Sequence, residues 1–214
     1  MFGLALHTST PELGLAISDF DTNQRHQTWE LGRDLSSRLH SLLQGFLAHQ
    51  SWQDLGFVVV CIGPGGFTGT RIGVTTARTL SQQLEIPLFG ISSLAAIAHN
   101  KITASDSESS KSRQPIDISV TMPAKRGAVY GAVYHWDGEI LLPKLDNTVL
   151  PADSWKVKQA QWSQPLLSMT VESGVGLANT TLSLLQLGYE QFQSGNQVDW
   201  REVVPFYGQH PVTV

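Results

Sequence analysis

From Phe2 to Leu31 the apolar residues come in three short runs, FGLALH, ELGLAIS and RHQTWEL, separated by the turn-prone stretches TSTP and DFDTN. Strand-length runs punctuated in this way predict an antiparallel three-stranded meander. The period then lengthens. Leu35, Leu39, Leu42, Leu43, Phe46 and Leu47 recur at helical spacing, which predicts a helix to about Gln50 with Asp34 or Ser36 as its cap. FVVVCI, residues 57–62, is apolar at every position. A valine-rich run that short suits a central strand buried on both faces, as in parallel pairing. A glycine-rich loop follows, then a helix from about Thr70 to Leu84, a short strand IPLFGI and a short helix SSLAAIAHN.

Residues 101–115, KITASDSESSKSRQP, hold hardly any apolar side chains and end in proline, which predicts an exposed connection. Beyond it lie strand patterns at DISVTM, GAVYGAVYHW, EILLP and NTVLP. A glycine turn, ESGVGLAN, then leads into the helical TTLSLLQLGY. No repeat of 20–50 residues recurs, but the two strand, glycine-turn and helix units around Gly63 and Gly174 hint at an old duplication.

Composition narrows the classes. The chain of 214 residues is 41% apolar, which predicts a globular fold with room for one large domain or two small ones. Its formal net charge of -4 argues against a broad phosphate-neutralising surface, so RNA would be gripped through a partner. The single cysteine, Cys61, cannot close an internal disulfide, and the N-terminus MFGLALHTST lacks a basic leader segment. No apolar run reaches the roughly 18 residues of a membrane span. A soluble, unprocessed, cytoplasmic protein is expected, with no membrane contact.

The stretch with the most chemistry is CIGPGGFTGTRIGV, Cys61–Val74. A buried strand that ends in Gly63, Pro64, Gly65, Phe67, Thr68 and Gly69 and reopens as a helix gathers backbone N–H groups and the positive helix end at one spot, a candidate anion site. The same residues describe a tight strand-to-helix turn, with glycines free to take positive φ and Thr68 or Thr70 as cap. Neither the P-loop nor the dinucleotide-binding glycine pattern is matched. Arg71 is the odd residue. A cation in the first helical turn opposes the macrodipole, so a carboxylate, phosphate or partner explains it better than helix stability does.

GPGGFTGTRIG resembles the G-P-G-S-F-T-G-x-R-I-G signature of the TsaB (YeaZ) family. LALHTS in the first strand, PAKRGAVY at Pro123–Tyr130, and Pro205, Phe206 and Tyr207 near the end are similar to further motifs of that family in the same order. The resemblance implies an α/β, actin/Hsp70/sugar-kinase-like fold of two ribonuclease-H-like lobes, mixed sheets flanked by helices. Residues 1–105 would form the lobe with the glycine loop, and 106–214 a smaller, degenerate lobe. It also implies a non-catalytic paralogue of TsaD, the enzyme that transfers a threonylcarbamoyl group from its adenylate to the adenosine beside the tRNA anticodon. The partners implied are a TsaD-type paralogue, a TsaE-type ATPase, a second copy when the chain is alone, and tRNA only through the complex. Two departures bear on chemistry: His7 stands where the fold's first strand usually offers a magnesium-facing aspartate, and Gly66 replaces the loop serine. No cofactor is implied; whether the loop is a vestigial nucleotide site that still binds weakly is left open.

The partner surface is expected on the helix behind the loop and the helix beside it, at Arg71, Ile72, Thr75, Thr76, Thr79, Leu39 and Leu43. The former helix carries short side chains nearly all round, which lets a second helix approach closely. Two enzyme readings compete. An ATP phosphotransferase of the same superfold would keep the first-strand aspartate and a general base. A metallopeptidase would need convergent ligands, yet the seven histidines, His7, His26, His40, His49, His99, His135 and His210, form no H-E-x-x-H or i, i+4 pair, and surface or capping roles are expected of each. Cys61 reads as a small buried hydrophobe, and Asp19 and Asp21 as turn residues.

Overall fold

The computed structural model describes residues 1–104, 114–172, 174, 176–196 and 198–208. Two compact units divide the chain: Met1–Ser93 with Gly174–Phe206, and Leu94–Ser173 with Tyr207–Val214. The chain returns to the first unit after leaving it, so a single cut near residue 105 does not describe this division.

The first unit is built on a five-stranded sheet. Strands β1 (Phe2–His7), β2 (Glu12–Ser18) and β3 (Gln24–Glu30) form the expected antiparallel meander. The apolar run becomes β4 (Leu55–Cys61), which pairs in parallel with β1 and with β5 (Leu88–Ile91). The strand order is β3-β2-β1-β4-β5. Both faces of the sheet are covered, which is why β4 can be apolar throughout.

Leu4, Leu6, Leu13, Leu15, Val58, Val60 and Leu88 face one side, where they pack with helices α1 (Leu35–Phe46) and α2 (Phe67–Leu84). On the opposite face α5 (Thr181–Gln193) closes the sheet. There Phe57 stacks on Phe192 with ring centroids 4.8 Å apart and meets Phe89 edge-on at 6.0 Å. Gly188 of α5 lies so close to Val59 that a Cβ would overlap it.

In the second unit β6 (Ile116–Pro123), β7 (Ala128–Trp136), β8 (Leu141–Pro151) and β9 (Leu166–Thr170) make a four-stranded sheet in the order β8-β7-β6-β9. The pairing of β9 with β6 is parallel and the rest is antiparallel, a mixed sheet as in the first unit. Helix α4 (Ala152–Ala160) lies on it through a polar ladder. Trp155 Nε1 donates to Thr121 Oγ1 at 2.6 Å, Gln159 Nε2 to Ser119 Oγ at 2.7 Å, and Trp162 Nε1 to Asp117 Oδ2 at 2.8 Å. Asp117 also accepts from His135 Nδ1 at 2.6 Å. Burial pushes its carboxyl up, but the bonds from Trp162 and His135 outweigh this and hold it below the ordinary value.

Several expected boundaries move. α1 ends at Phe46 rather than Gln50, and α2 begins at Phe67 rather than Thr70. α3 (Ser93–Ala104) continues through residues 101–104, which the polar composition assigns to the connection; residues 105–113 of that connection lie outside the described residues. The last three residues of EILLP and all of NTVLP belong to one strand, β8, whose proline at 143 is tolerated on a sheet edge. No described helix is long and apolar enough to cross a membrane.

Candidate functional site

The glycine loop is held from three sides by its own unit. Ser93 donates its N–H to Gly63 O at 2.9 Å and its hydroxyl to Pro64 O at 2.7 Å. Phe206 N–H donates to Ile62 O at 2.7 Å. From the turn after β1, Ser9 O accepts the Gly66 N–H at 2.7 Å, while Ser9 Oγ accepts from Thr70 Oγ1 at 3.0 Å and donates to Cys61 Sγ at 3.3 Å. One of the donors that an anion would need is therefore taken by a carbonyl oxygen of the chain itself.

This geometry changes the reason for the glycines. Only Gly63 takes a positive φ, +93°. At Gly65 and Gly69 the constraint is proximity: a Cβ on Gly65 would overlap Ser9 O and one on Gly69 would overlap Thr8 O. Neither Thr68 nor Thr70 caps the helix. Gly66 is the N-cap residue without a side-chain bond, and Thr70 Oγ1 points back to Gly66 O at 2.9 Å. Nor does Asp34 or Ser36 cap α1 through a side chain; Asp34 holds the N-cap position without such a bond.

The second glycine turn is also filled. Glu12, at the start of β2, accepts from Gly176 N–H with both carboxylate oxygens, at 2.9 and 3.0 Å, and from Ala178 N–H at 3.2 Å. A carboxylate supplied in cis thus sits where the backbone would otherwise receive an external anion. Glu12 carries no signal in the sequence, because its partners are more than 160 residues away.

His7 lies at the end of β1 on the sheet face covered by α5, fully buried, with both ring nitrogens and the neighbouring Thr8 Oγ1 lacking hydrogen-bond partners. Burial pushes its imidazole down to about 4, so it is neutral at pH 7. His7 and His99 are buried, which corrects the surface or capping role expected of each; His210 lies outside the described residues. Among the described residues no three His, Cys, Asp or Glu side chains converge as metal ligands. Cys61 is buried and its thiol is pushed up to about 11 by burial, which keeps it protonated and inert. Asp19 accepts the N–H groups of Asp21, Thr22 and Asn23, the work of a turn residue.

Between α1 and α2 the first unit carries a groove of about 610 Å³. Arg71, Ile72, Thr75, Thr76 and Thr79 line it from α2, with Leu43 opposite on α1. The structure brings these expected residues together because positions 72, 76 and 79 form one stripe of the helix, while Val74, Ala77 and Ser81 are buried on the sheet side. Leu39 does not belong with them. It is fully buried in the core beneath α1 and offers no surface. Ser36, His40 and Gln44 of α1, Trp52 and Leu80 complete the lining; Ser36 was expected as a cap and His40 at the surface, and none of the five was expected in the partner surface, although the spacing 36, 40, 43, 44 is one helical face. Arg71 rests over the ring of Phe67, 5.4 Å from its centroid, and Phe67 is 40% exposed.

Residues 30–180 match the family model described as TsaD: tRNA N6-adenosine threonylcarbamoyltransferase. The tRNA threonylcarbamoyladenosine biosynthesis protein TsaB of Bacillus subtilis (strain 168) is 34% identical over 171 residues, covering 77% of this chain and 68% of that protein. TsaB of Escherichia coli (strain K12) is 25% identical over 225 aligned positions, covering 95% and 93%. The solved structure of YeaZ from Pseudomonas aeruginosa superposes with a TM-score of 0.74 at 18% identity, over 97% of this chain and 100% of that one. The mixed sheets flanked by helices are therefore those of the expected actin-like fold class. With a family model matched over most of the chain and a TsaB relative of this identity and coverage, the chain belongs to the TsaB (YeaZ) family of tRNA threonylcarbamoyladenosine biosynthesis proteins.

Proposed function

We propose that this chain is the supporting, non-catalytic subunit in the cytoplasmic transfer of a threonylcarbamoyl group to the adenosine beside the tRNA anticodon. Catalysis belongs to a TsaD-type paralogue that docks on the groove between α1 and α2. A TsaE-type ATPase and the tRNA join through that complex, and a second copy of the chain occupies the groove more weakly when the paralogue is absent. The observation that carries the reading is the groove itself: open, apolar at the half-buried Ile72 and Leu80, and walled by short threonines. The occupied glycine turns support a scaffold over an enzyme, since Ser9 O and the Glu12 carboxylate engage donors that a nucleotide phosphate would use.

The test mixes the purified chain with the TsaD-type paralogue of its own source and follows complex formation by light scattering and modified nucleoside by mass spectrometry. Thr75→Trp, at an exposed groove position, is expected to abolish the complex and the modification while the chain stays folded. Thr76→Glu is a harsher probe of the same wall, because Thr76 is only 9% exposed. A folded Thr75→Trp variant that still forms the complex would place the interface elsewhere, and modification made by this chain without the paralogue would overturn the non-catalytic reading.

A further inference from the structure

The sheet of the first unit ends at β3, the outer strand in the order β3-β2-β1-β4-β5. Its pairing with β2 runs without a bulge from Glu12↔Glu30 to Ser18↔Gln24. Just beyond the two ends of that ladder, Asp19 N–H donates to Asn23 O at 3.0 Å and Leu31 N–H to Pro11 O at 3.2 Å. Hydrogen-bonded pairs alternate along an antiparallel ladder, so Arg25, Gln27 and Trp29 bond to β2, while the N–H and C=O groups of Gln24, His26, Thr28 and Glu30 point outward. Among the described residues those outward groups have no backbone partner. Proline, a bulge or lysine blunts many sheet edges, and β3 carries none of these.

A groove of about 460 Å³ follows this edge, between residues 24–27 of β3 and Gly45, Phe46 and His49 at the end of α1. Arg25 and His49 line it, and among the described residues no carboxylate does. Arg25 Nη2 donates to Phe46 O at 2.8 Å and to Gln50 Oε1 at 2.6 Å, which sets the guanidinium on the α1 side, 5.2 Å from the centroid of the Phe46 ring. Its Nε and Nη1 N–H groups have no partner among the described residues, and it makes no ion pair there. His26 reaches the other side of the strand, toward Ala178 O at 3.4 Å. Gly45 keeps the groove clear, since a Cβ there would meet nothing within 4 Å. Unpaired strand edge and unpaired cation thus lie side by side. We propose that the edge of β3 takes up an extended segment of another protein as an added strand, with an acidic side chain set against Arg25 and His49. A second copy cannot supply that carboxylate. When two β3 edges pair antiparallel about a two-fold axis, outward residues meet outward residues, so Arg25 comes opposite Arg25, Gln27 or Trp29 of the copy. The one carboxylate of β3, Glu30, belongs to the outward set and faces the side of His26.

Amide hydrogen exchange followed by NMR on the full chain tests this residue by residue. In the free chain the His26 and Thr28 amides should exchange at least about tenfold faster than those of Arg25 and Gln27. The probe is a capped peptide, TEVEVET, whose glutamates share one face of an extended strand. It should bind with a dissociation constant of about 1 mM or tighter and slow exchange at His26 and Thr28, whereas TKVKVKT should bind at least about tenfold more weakly. Arg25→Gln should remove that preference. Thr28→Pro deletes an outward donor that β2 does not use, and should lose the peptide while lowering the melting temperature by only a few degrees. Gly45→Leu fills the groove from the helix side and should block the peptide as well, whatever the proline does to folding. Equal binding of the two peptides, undiminished binding by Gly45→Leu, or no slowing of exchange at about 5 mM TEVEVET would overturn the proposal. Protection of the same amides that grows with protein concentration alone would also overturn it, and would give the edge to a second copy.

Discussion

Two glycines of the first unit answer to opposite constraints. Gly69 brings the first turn of α2 against the turn after β1, and any Cβ there would overlap Thr8 O. Gly69→Val is therefore expected to cost about 1–3 kcal/mol in denaturant unfolding through overpacking, not through a forbidden φ. A Cβ added at Gly45 in α1 would meet nothing within 4 Å, so Gly45→Ala should stabilise by roughly 0.5–1 kcal/mol and serves as the contrast. His7 couples stability to pH. Its folded value near 4 lies below the ordinary 6.5, so the unfolded chain binds a proton that the folded chain refuses. Stability is present in full above pH 6.5 and falls as pH drops toward 4, by about 2 kcal/mol at pH 5 and about 3 at pH 4 from this group. Urea titrations at pH 7 and pH 5 should show that slope in the unmodified chain and lose most of it in His7→Leu; equal slopes would show that His7 is not its source.

At the scale of elements, the ties that matter are non-local. The Glu12 carboxylate fastens the start of β2 to the backbone leading into α5, which closes one face of the sheet. Glu12→Ala leaves the Gly176 and Ala178 N–H groups without that acceptor and should cost about 2–3 kcal/mol, with Glu12→Gln costing about half as much, read by chemical denaturation. Such a tie is invisible to local pattern, and so is much of the second sheet. The meander, β4 and the faces of α1 and α2 are legible because their apolar periods are strong and set by burial on a shared core. α4 leaves no such trace because Trp155 is its one buried residue, and it is fixed by hydrogen bonds from Trp155 and Gln159 rather than by an apolar stripe. β9 is five residues with both faces partly open, so no alternation marks it. Pro143 and the polar Asp146 and Asn147 split the pattern of β8, although an edge strand accommodates them. For the site, the stripe of Ile72, Thr76 and Thr79 can be read from spacing, as can the burial of Leu39 with Leu35, Leu43 and Phe46, whereas the wall contributed by Trp52 cannot.

At the scale of the whole molecule, the question is whether the two glycine turns keep backbone donors for an external anion. The turn after β4 offers Gly66 N–H to Ser9 O, and the turn before α5 offers Gly176 and Ala178 N–H groups to Glu12. A phosphate entering either turn would have to displace an internal acceptor, one a backbone carbonyl fixed by the strand that precedes it and the other a carboxylate that already brings the negative charge. His7 adds nothing to compensate, since a buried neutral imidazole is a poor ligand for magnesium. Ligands that bind only the folded state raise its melting temperature by mass action, and one present at 100 times its dissociation constant would contribute about 2.7 kcal/mol. The pure chain is accordingly expected to show no shift in melting temperature with millimolar ATP and magnesium, and no ATP hydrolysis above a buffer blank. Hydrolysis that disappears in a folded variant with Thr68 replaced by a bulky residue would make the chain an ATPase. A reproducible melting shift without hydrolysis would instead place a nucleotide on the glycine loop, with Ser9 moved aside, and Gly66→Ala, open to a Cβ at 3.6 Å from Ser9 O, would then be the variant that separates binding from folding.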